Sequence, residues 1–155
     1  MSSRPATVLP VDARVGSTVA RHPSARRLTV AMGALVVTDL VGGVLAVVSG
    51  VNTWSEAWGP AALLAAPAPM VIGQVLLTLV ATGTFRRVSS RWAATAAVVL
   101  ALACLVSVAS GFFDGGLANH ALTGGLVAYQ VLLLAVTASV GGLAAWRAVV
   151  LLRRR

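Results

Sequence analysis

The sequence predicts an all-α membrane protein: an antiparallel bundle of four transmembrane helices with both termini in the cytoplasm. Hydrophobic residues make up 58% of the 155 residues and charged residues only 10%. Four apolar stretches are each long enough to cross a bilayer, which takes about 20 residues of helix. All twelve basic residues are Arg, and they lie in clusters beside these apolar stretches. This composition leaves no room for a separate soluble domain, so we expect one membrane domain over residues 28–152.

The arginine positions predict the topology. Five Arg precede the first stretch, three lie between the second and third, and four lie at or after the end of the fourth. The other two connectors contain none. Because Arg and Lys concentrate in cytoplasmic loops, both termini should be cytoplasmic. The absence of Lys beside abundant Ala, Val, Gly and Arg is typical of a GC-rich bacterial genome, and we expect the bacterial cytoplasmic (inner) membrane.

The two ends of the chain are basic. Residues 1–27 carry five Arg against one acid, and Pro5, Pro10 and Pro23 interrupt any helical period. We therefore expect a disordered cytoplasmic tail there, and a basic cytoplasmic end over residues 153–155. A cleaved signal peptide is the alternative for the N-terminus, but its apolar core would be too long and three more apolar stretches follow.

The four spans are predicted at about residues 28–49, 61–84, 92–113 and 121–146. The second contains Pro67 and Pro69, which remove two backbone donors, so its outer third should be kinked or locally unwound. Backbone carbonyls freed there could bind a cation, whereas a plain kink is the simpler interpretation.

Small residues recur at helical spacing in the third and fourth spans. In the third span they are Ala96, Ala103, Ser107 and Gly111. Such faces allow close approach between helices. The single Cys104 excludes an intramolecular disulfide, and we interpret it as a small packing residue. Trp54 and Trp58, four residues apart in the first outer connector, should lie at the headgroup level, with an aromatic ligand cage as the alternative.

Asp39 lies near the middle of the first span. An Asp at the centre of a transmembrane helix costs roughly 2.5–3.5 kcal/mol on insertion scales. Counting about 1.5 Å per residue from the membrane faces puts Gln74 somewhat to the cytoplasmic side of Asp39 and Gln130 somewhat to its outer side, so that they could converge, with Thr78 one turn from Gln74. These four residues form a candidate intramembrane polar site. The carboxyl is either a protonated hydrogen-bond donor between helices, to Thr38 or the site's amides and hydroxyls, or a group that loads protons or binds a cationic solute.

In layout the chain resembles the small multidrug resistance exporters, four-span bacterial proteins with a membrane-embedded acid in the first helix. Those proteins are shorter, have Glu where this chain has Asp39, and begin almost at the first helix. The resemblance implies oligomerisation through the small-residue faces and does not extend to membership of the family.

Glu56, Asp114 and His120 form a weaker candidate cluster on the predicted outer face. Carboxylates and imidazole suit a divalent metal, but their spacing matches no known motif, so solvated loop residues are the simpler interpretation. We expect no metal and no cofactor. The two His lie outside the spans and Asp39 is the one acid within them, so the chain lacks haem ligands and a carboxyl pair for catalysis.

We therefore expect a non-enzymatic structural or interaction subunit that assembles through its small-residue faces, as a homo-oligomer or with a partner membrane protein. The alternative is a proton-coupled transporter or exporter of a small or cationic solute that uses Asp39. Nucleic acid is not expected as a partner despite the charge of +8, because stacking aromatics interleaved with the basic residues are missing. Seven Arg could contact anionic lipid: Arg26, Arg27, Arg86, Arg87, Arg153, Arg154 and Arg155.

Overall fold

The computed structural model describes residues 22–85, 88–113, 122 and 124–153. These residues form four α-helices and no strand: α1 (Pro23–Val48), α2 (Ala68–Thr82), α3 (Ser90–Phe113) and α4 (Gly125–Leu152). The all-α prediction is confirmed for this part of the chain. Most of the predicted N-terminal tail, both residues of Arg86-Arg87 and the end at Arg154-Arg155 lie outside it.

Three of the helices are long and apolar enough to cross a membrane: α1 with 26 residues, α3 with 24 and α4 with 28. Helix α1 begins at Pro23, five residues before the predicted start at Leu28. Proline suits the first helical position because its missing N–H has no partner there anyway. The His22 ring also caps the helix by accepting from the Ser24 N–H at 3.2 Å. At the other end of the chain, α4 continues to Leu152, past the predicted end of the fourth span at residue 146.

The second apolar segment is helical over only part of the predicted span. Helix α2 has 15 residues, and residues 61–67 before it are not helical. Pro67 is the N-cap and Pro69 falls in the first turn, where neither proline interrupts an intrahelical hydrogen bond. The helix ends at Gly83, which adopts the left-handed conformation with φ of 71°. At roughly 22 Å, α2 is shorter than a hydrocarbon core of about 30 Å.

Helices adjacent in sequence pack against each other, and α4 also packs against α1, with the largest contact between α3 and α4. Two of the small residues allow this close packing. A Cβ on Gly141 would lie 2.9 Å from Cys104 Cβ, and one on Gly111 would lie 2.4 Å from Leu134 Cδ2. The small-residue faces of α3 and α4 are therefore used at least partly within the chain. Cys104 itself is buried and takes part in this packing.

Candidate functional site

A cavity of about 450 Å³ lies between the four helices and the connector that precedes α2. Polar side chains from every helix line it: Asp39 from α1, Gln74 from α2, Ser107 from α3, and Gln130 and Thr137 from α4. The non-helical residues 60–63 and 65–67 form one wall. The cavity therefore brings together three of the four predicted site residues.

Asp39 is nearly enclosed, with 3% of the residue exposed. Its Oδ1 accepts a hydrogen bond of 2.9 Å from the backbone N–H of Ala66. This amide can reach Asp39 because residues 61–67 are not helical. The other oxygen, Oδ2, is buried and has no hydrogen-bond partner among the described groups.

The side-chain partners expected for Asp39 make other hydrogen bonds. The Thr38 hydroxyl donates to the Ala34 carbonyl of its own helix at 2.8 Å. The Thr78 hydroxyl donates to the Gln74 carbonyl at 2.9 Å, and Thr78 does not line the cavity. Within the described part of the chain, neither of these hydroxyls donates to Asp39. The hydrogen bond to Asp39 comes instead from the backbone N–H of Ala66, in the non-helical segment 61–67.

Gln130 contributes a second buried atom without a partner. Only 5% of the residue is exposed, and its Oε1 accepts no hydrogen bond from the described groups. Gln74 is buried to a similar degree, at 3% exposure. Leaving a buried polar atom unpaired costs roughly 1–3 kcal/mol, so two such acceptors beside one cavity call for an explanation.

Two hydroxyls on the cavity wall also present acceptors. The Ser107 hydroxyl donates to the Ala103 carbonyl at 2.9 Å, and the Thr137 hydroxyl donates to the Leu133 carbonyl at 2.9 Å. Each hydroxyl has one proton, so its oxygen can then only accept. The polar lining of the cavity is therefore rich in acceptors.

The connector is held together by Asn52 and packs against α1. The Asn52 side chain donates to the Ala61 carbonyl at 3.2 Å and accepts from the Leu63 N–H at 3.3 Å. The Leu64 carbonyl lies so close to Gly42 that a Cβ there would be 1.9 Å from its oxygen. Glycine at position 42 thus allows the connector backbone to reach the helix beside the cavity.

Aromatic side chains support the same region. The Tyr129 hydroxyl donates to the Thr38 carbonyl and so joins α4 to α1 next to the cavity. The Trp58 indole packs on Gly43, where a Cβ would lie 2.4 Å from Cε2. Trp54 and Trp58 stack with ring centroids 5.7 Å apart. The sequence offered no signal for the role of Tyr129, because its partner is a backbone carbonyl 91 positions away.

Arg147 directly follows the predicted end of the fourth span, and it is buried in the structure. Its exposure is 1%; Nε donates to the Ala81 carbonyl at 3.3 Å and Nη1 donates to the Ser24 hydroxyl at 2.9 Å. It therefore connects α4 to both α1 and α2. The Ser24 hydroxyl is in turn 2.7 Å from Nδ1 of His22.

The outer-face cluster is only partly described. Glu56 is exposed, and its Oε2 accepts from the Thr53 N–H at 2.9 Å and from the Thr53 hydroxyl at 2.8 Å. These two hydrogen bonds, led by the backbone N–H, lower the pKa of Glu56. Asp114 and His120 lie outside the described residues. Within the described ranges no group of three His, Cys, Asp or Glu side chains could hold a metal ion.

Of the seven arginines predicted to contact lipid, Arg26, Arg27 and Arg153 are exposed in the structure. The remaining four, Arg86, Arg87, Arg154 and Arg155, lie outside the described residues.

Comparison with known proteins gives no relative: no protein-family model, curated protein or solved structure matches the chain.

Proposed function

We propose that this protein crosses the bacterial cytoplasmic membrane four times and carries a small solute through the Asp39 cavity in exchange for protons. The observation that carries the proposal is the pair of buried oxygens, Asp39 Oδ2 and Gln130 Oε1, that lack partners where their residues line one cavity. A purely structural acid between helices would have both oxygens satisfied. A site that a solute occupies intermittently accounts for buried acceptors that lack partners in its absence.

Asp39 is the residue suited to couple solute to proton. It is the single acidic residue in any of the four helices. Ionisable residues inside transmembrane segments are expensive and mark ion or substrate pathways. In the proposed cycle the carboxyl holds either a proton or the solute. Release of one on binding of the other gives the exchange.

The unwound segment before α2 supports both the carrier and the four-span antiparallel bundle. Irregular backbone at membrane depth is tolerated where it lines a cavity, and residues 61–67 lie at this cavity. Together with the 15 residues of α2 they supply enough chain for a second crossing.

The topology has a direct test. With both termini cytoplasmic, an alkaline phosphatase fusion at Asn52 should be active and a fusion at Ser89 inactive. The opposite pattern would contradict the proposed orientation.

The carrier has its own test in proteoliposomes with a pH-sensitive dye inside. Organic cations, inorganic monovalent cations and neutral amides would be added outside, one at a time. We expect at least one solute to drive proton movement through the wild-type protein and not through Asp39→Asn. The matched control is Ser139→Ala, an exposed residue of α4 that bonds only its own helix at Ala135. Proton movement that survives Asp39→Asn would exclude Asp39 as the coupling site, and no movement for any of these solutes would exclude the carrier.

A subunit that binds another membrane protein or a second copy of itself is the second candidate, and one observation favours it. A groove of about 350 Å³ lies between α3 and α4, and Gly142 lines it with open space where a Cβ would be. Small residues at such positions promote helix association in membranes. Gly142→Leu should then reduce an oligomer or a co-purified complex, whereas an unchanged assembly state would refute this use of the groove.

A further inference from the structure

We infer that the solute of the Asp39 cavity is a protonated amine with at least one N–H donor and a compact apolar chain. This inference rests on the carrier proposed above, because it names the substrate class of the same site.

The polar end of the solute follows from the hydrogen-bonding character of the lining. Asp39 Oδ2 and Gln130 Oε1 are unpaired acceptors, and the protons of the Ser107 and Thr137 hydroxyls are already donated to helix carbonyls. A solute that pairs with these oxygens must donate hydrogen bonds, and the amide N–H groups of Gln74 and Gln130 are the donors of the lining. The carboxylate adds a negative charge, so a donor that is also a cation gains most. An ammonium group provides both properties, with up to three N–H donors.

The rest of the solute follows from the apolar part of the wall. Leu35, Met70, Val106, Leu133 and Leu134 line the cavity together with the alanines and prolines of the connector. The volume of about 450 Å³ falls within the range of small-molecule sites, roughly 300–1,000 Å³. This surface suits a short hydrocarbon chain attached to the ammonium group.

Two other cations fit the lining less well. A quaternary ammonium has no N–H donor and is usually recognised by an aromatic cage, whereas none of the described residues lining this cavity is aromatic. A bare inorganic cation needs oxygen ligands around it, and here hydrocarbon occupies a large part of the wall. A primary or secondary amine uses both the acceptors and the hydrocarbon.

The test is calorimetric binding to the full chain in lipid nanodiscs, with empty nanodiscs as the blank for partitioning. Three probes share one hydrocarbon chain: hexylammonium, hexan-1-ol and hexyltrimethylammonium, with NaCl as the inorganic cation. Hexylammonium should bind best. Loss of a charge-assisted hydrogen bond in Asp39→Asn should raise the Kd for hexylammonium roughly 10- to 100-fold. Gln130→Met, which keeps the volume and removes the acceptor, should raise it roughly 3- to 10-fold, and Ser139→Ala should leave it unchanged.

The outcomes separate the substrate class from the carrier. Equal or tighter binding of hexyltrimethylammonium, of hexan-1-ol or of sodium would overturn the requirement for a cationic N–H donor. Absence of hexylammonium binding, with Asp39-dependent proton movement driven by another solute, would overturn the substrate class alone. Hexylammonium binding that is unaffected by both Asp39→Asn and Gln130→Met would overturn the assignment of the site. If Asp39→Asn fails to fold, the comparison among probes and the Gln130→Met variant still decide.

Discussion

Gly42 is the position where a single added methyl group should disturb the candidate site most. It lies three residues after Asp39 on α1, against the carbonyl of Leu64. In Gly42→Ala the new Cβ would be 1.9 Å from that carbonyl oxygen, and ordinary contact begins at 3.4 Å. The connector would therefore have to retreat by about 1.5 Å, the difference between these two distances. The 2.9 Å hydrogen bond from Ala66 to Asp39 would be stretched beyond its range by such a movement.

The expected cost combines overpacking, roughly 1–3 kcal/mol, with the loss of a hydrogen bond to the carboxyl, so Gly42→Ala should lower the free energy of unfolding by roughly 2–5 kcal/mol. The assay is unfolding in mixed micelles, followed by tryptophan fluorescence. Gly33→Ala is the matched control because it lies on the same helix and its Cβ would meet no atom within 4 Å. If both variants unfold within about 0.5 kcal/mol of each other, the connector does not press on Gly42 as described.

Three further predictions concern other contacts. Ser24→Ala removes the hydroxyl that accepts a hydrogen bond from Arg147, so it should lower the free energy of unfolding by roughly 1–3 kcal/mol. The exposed control Ser139→Ala should change this free energy by less than about 0.5 kcal/mol. Equal effects of the two variants would contradict the contact between Ser24 and Arg147. Asn52→Ala breaks two hydrogen bonds within the connector, so hydrogen exchange of the amides of residues 61–66, measured by mass spectrometry, should become faster. Unchanged exchange would contradict the role of Asn52 in holding this segment. Hydrogen bonds from Thr53 lower the pKa of Glu56 below its ordinary value of 4.5. The ionised carboxylate therefore stabilises the turn fully at pH values above 4.5, and this stabilisation is lost as the pH falls through the lowered pKa. The protection factor of the Thr53 amide should therefore fall at acid pH, while a constant factor would refute the pairing.

Much of the helical fold is predictable from the sequence, because unbroken apolar stretches between arginine clusters leave few alternatives in a membrane. The helix bounds in the structure differ from the predicted ones where a local feature sets them. Pro23 starts α1 early because proline suits the first turn, and Pro67 delays α2 because it serves as the cap. Counting depth predicts that Asp39 and Gln130 could converge, and both residues line one cavity in the structure.

The contacts that define the site could not be predicted in the same way. The partner of Asp39 is a backbone amide 27 positions away, in a segment whose fold depends on Asn52 and Gly42. Nothing in hydropathy or spacing encodes such a contact. Arg147 shows the same limit: an arginine near the end of a span usually extends to the interface, and here the Ser24 hydroxyl, 123 positions away, holds it inside.

The most direct test of the central claim, that a solute can reach Asp39, is the reactivity of a cysteine in its place. Asp39→Cys and Leu40→Cys would each be made with Cys104→Ala and treated in vesicles with a charged, membrane-impermeant thiol reagent. Asp39 lines the cavity, whereas the neighbouring Leu40 is 55% exposed on the outer surface of the helix, which faces lipid in the proposed topology. We predict labelling at position 39, from at least one side of the membrane, and none at position 40. Equal lack of labelling at both positions, with the protein folded and embedded, would contradict a solute-accessible site.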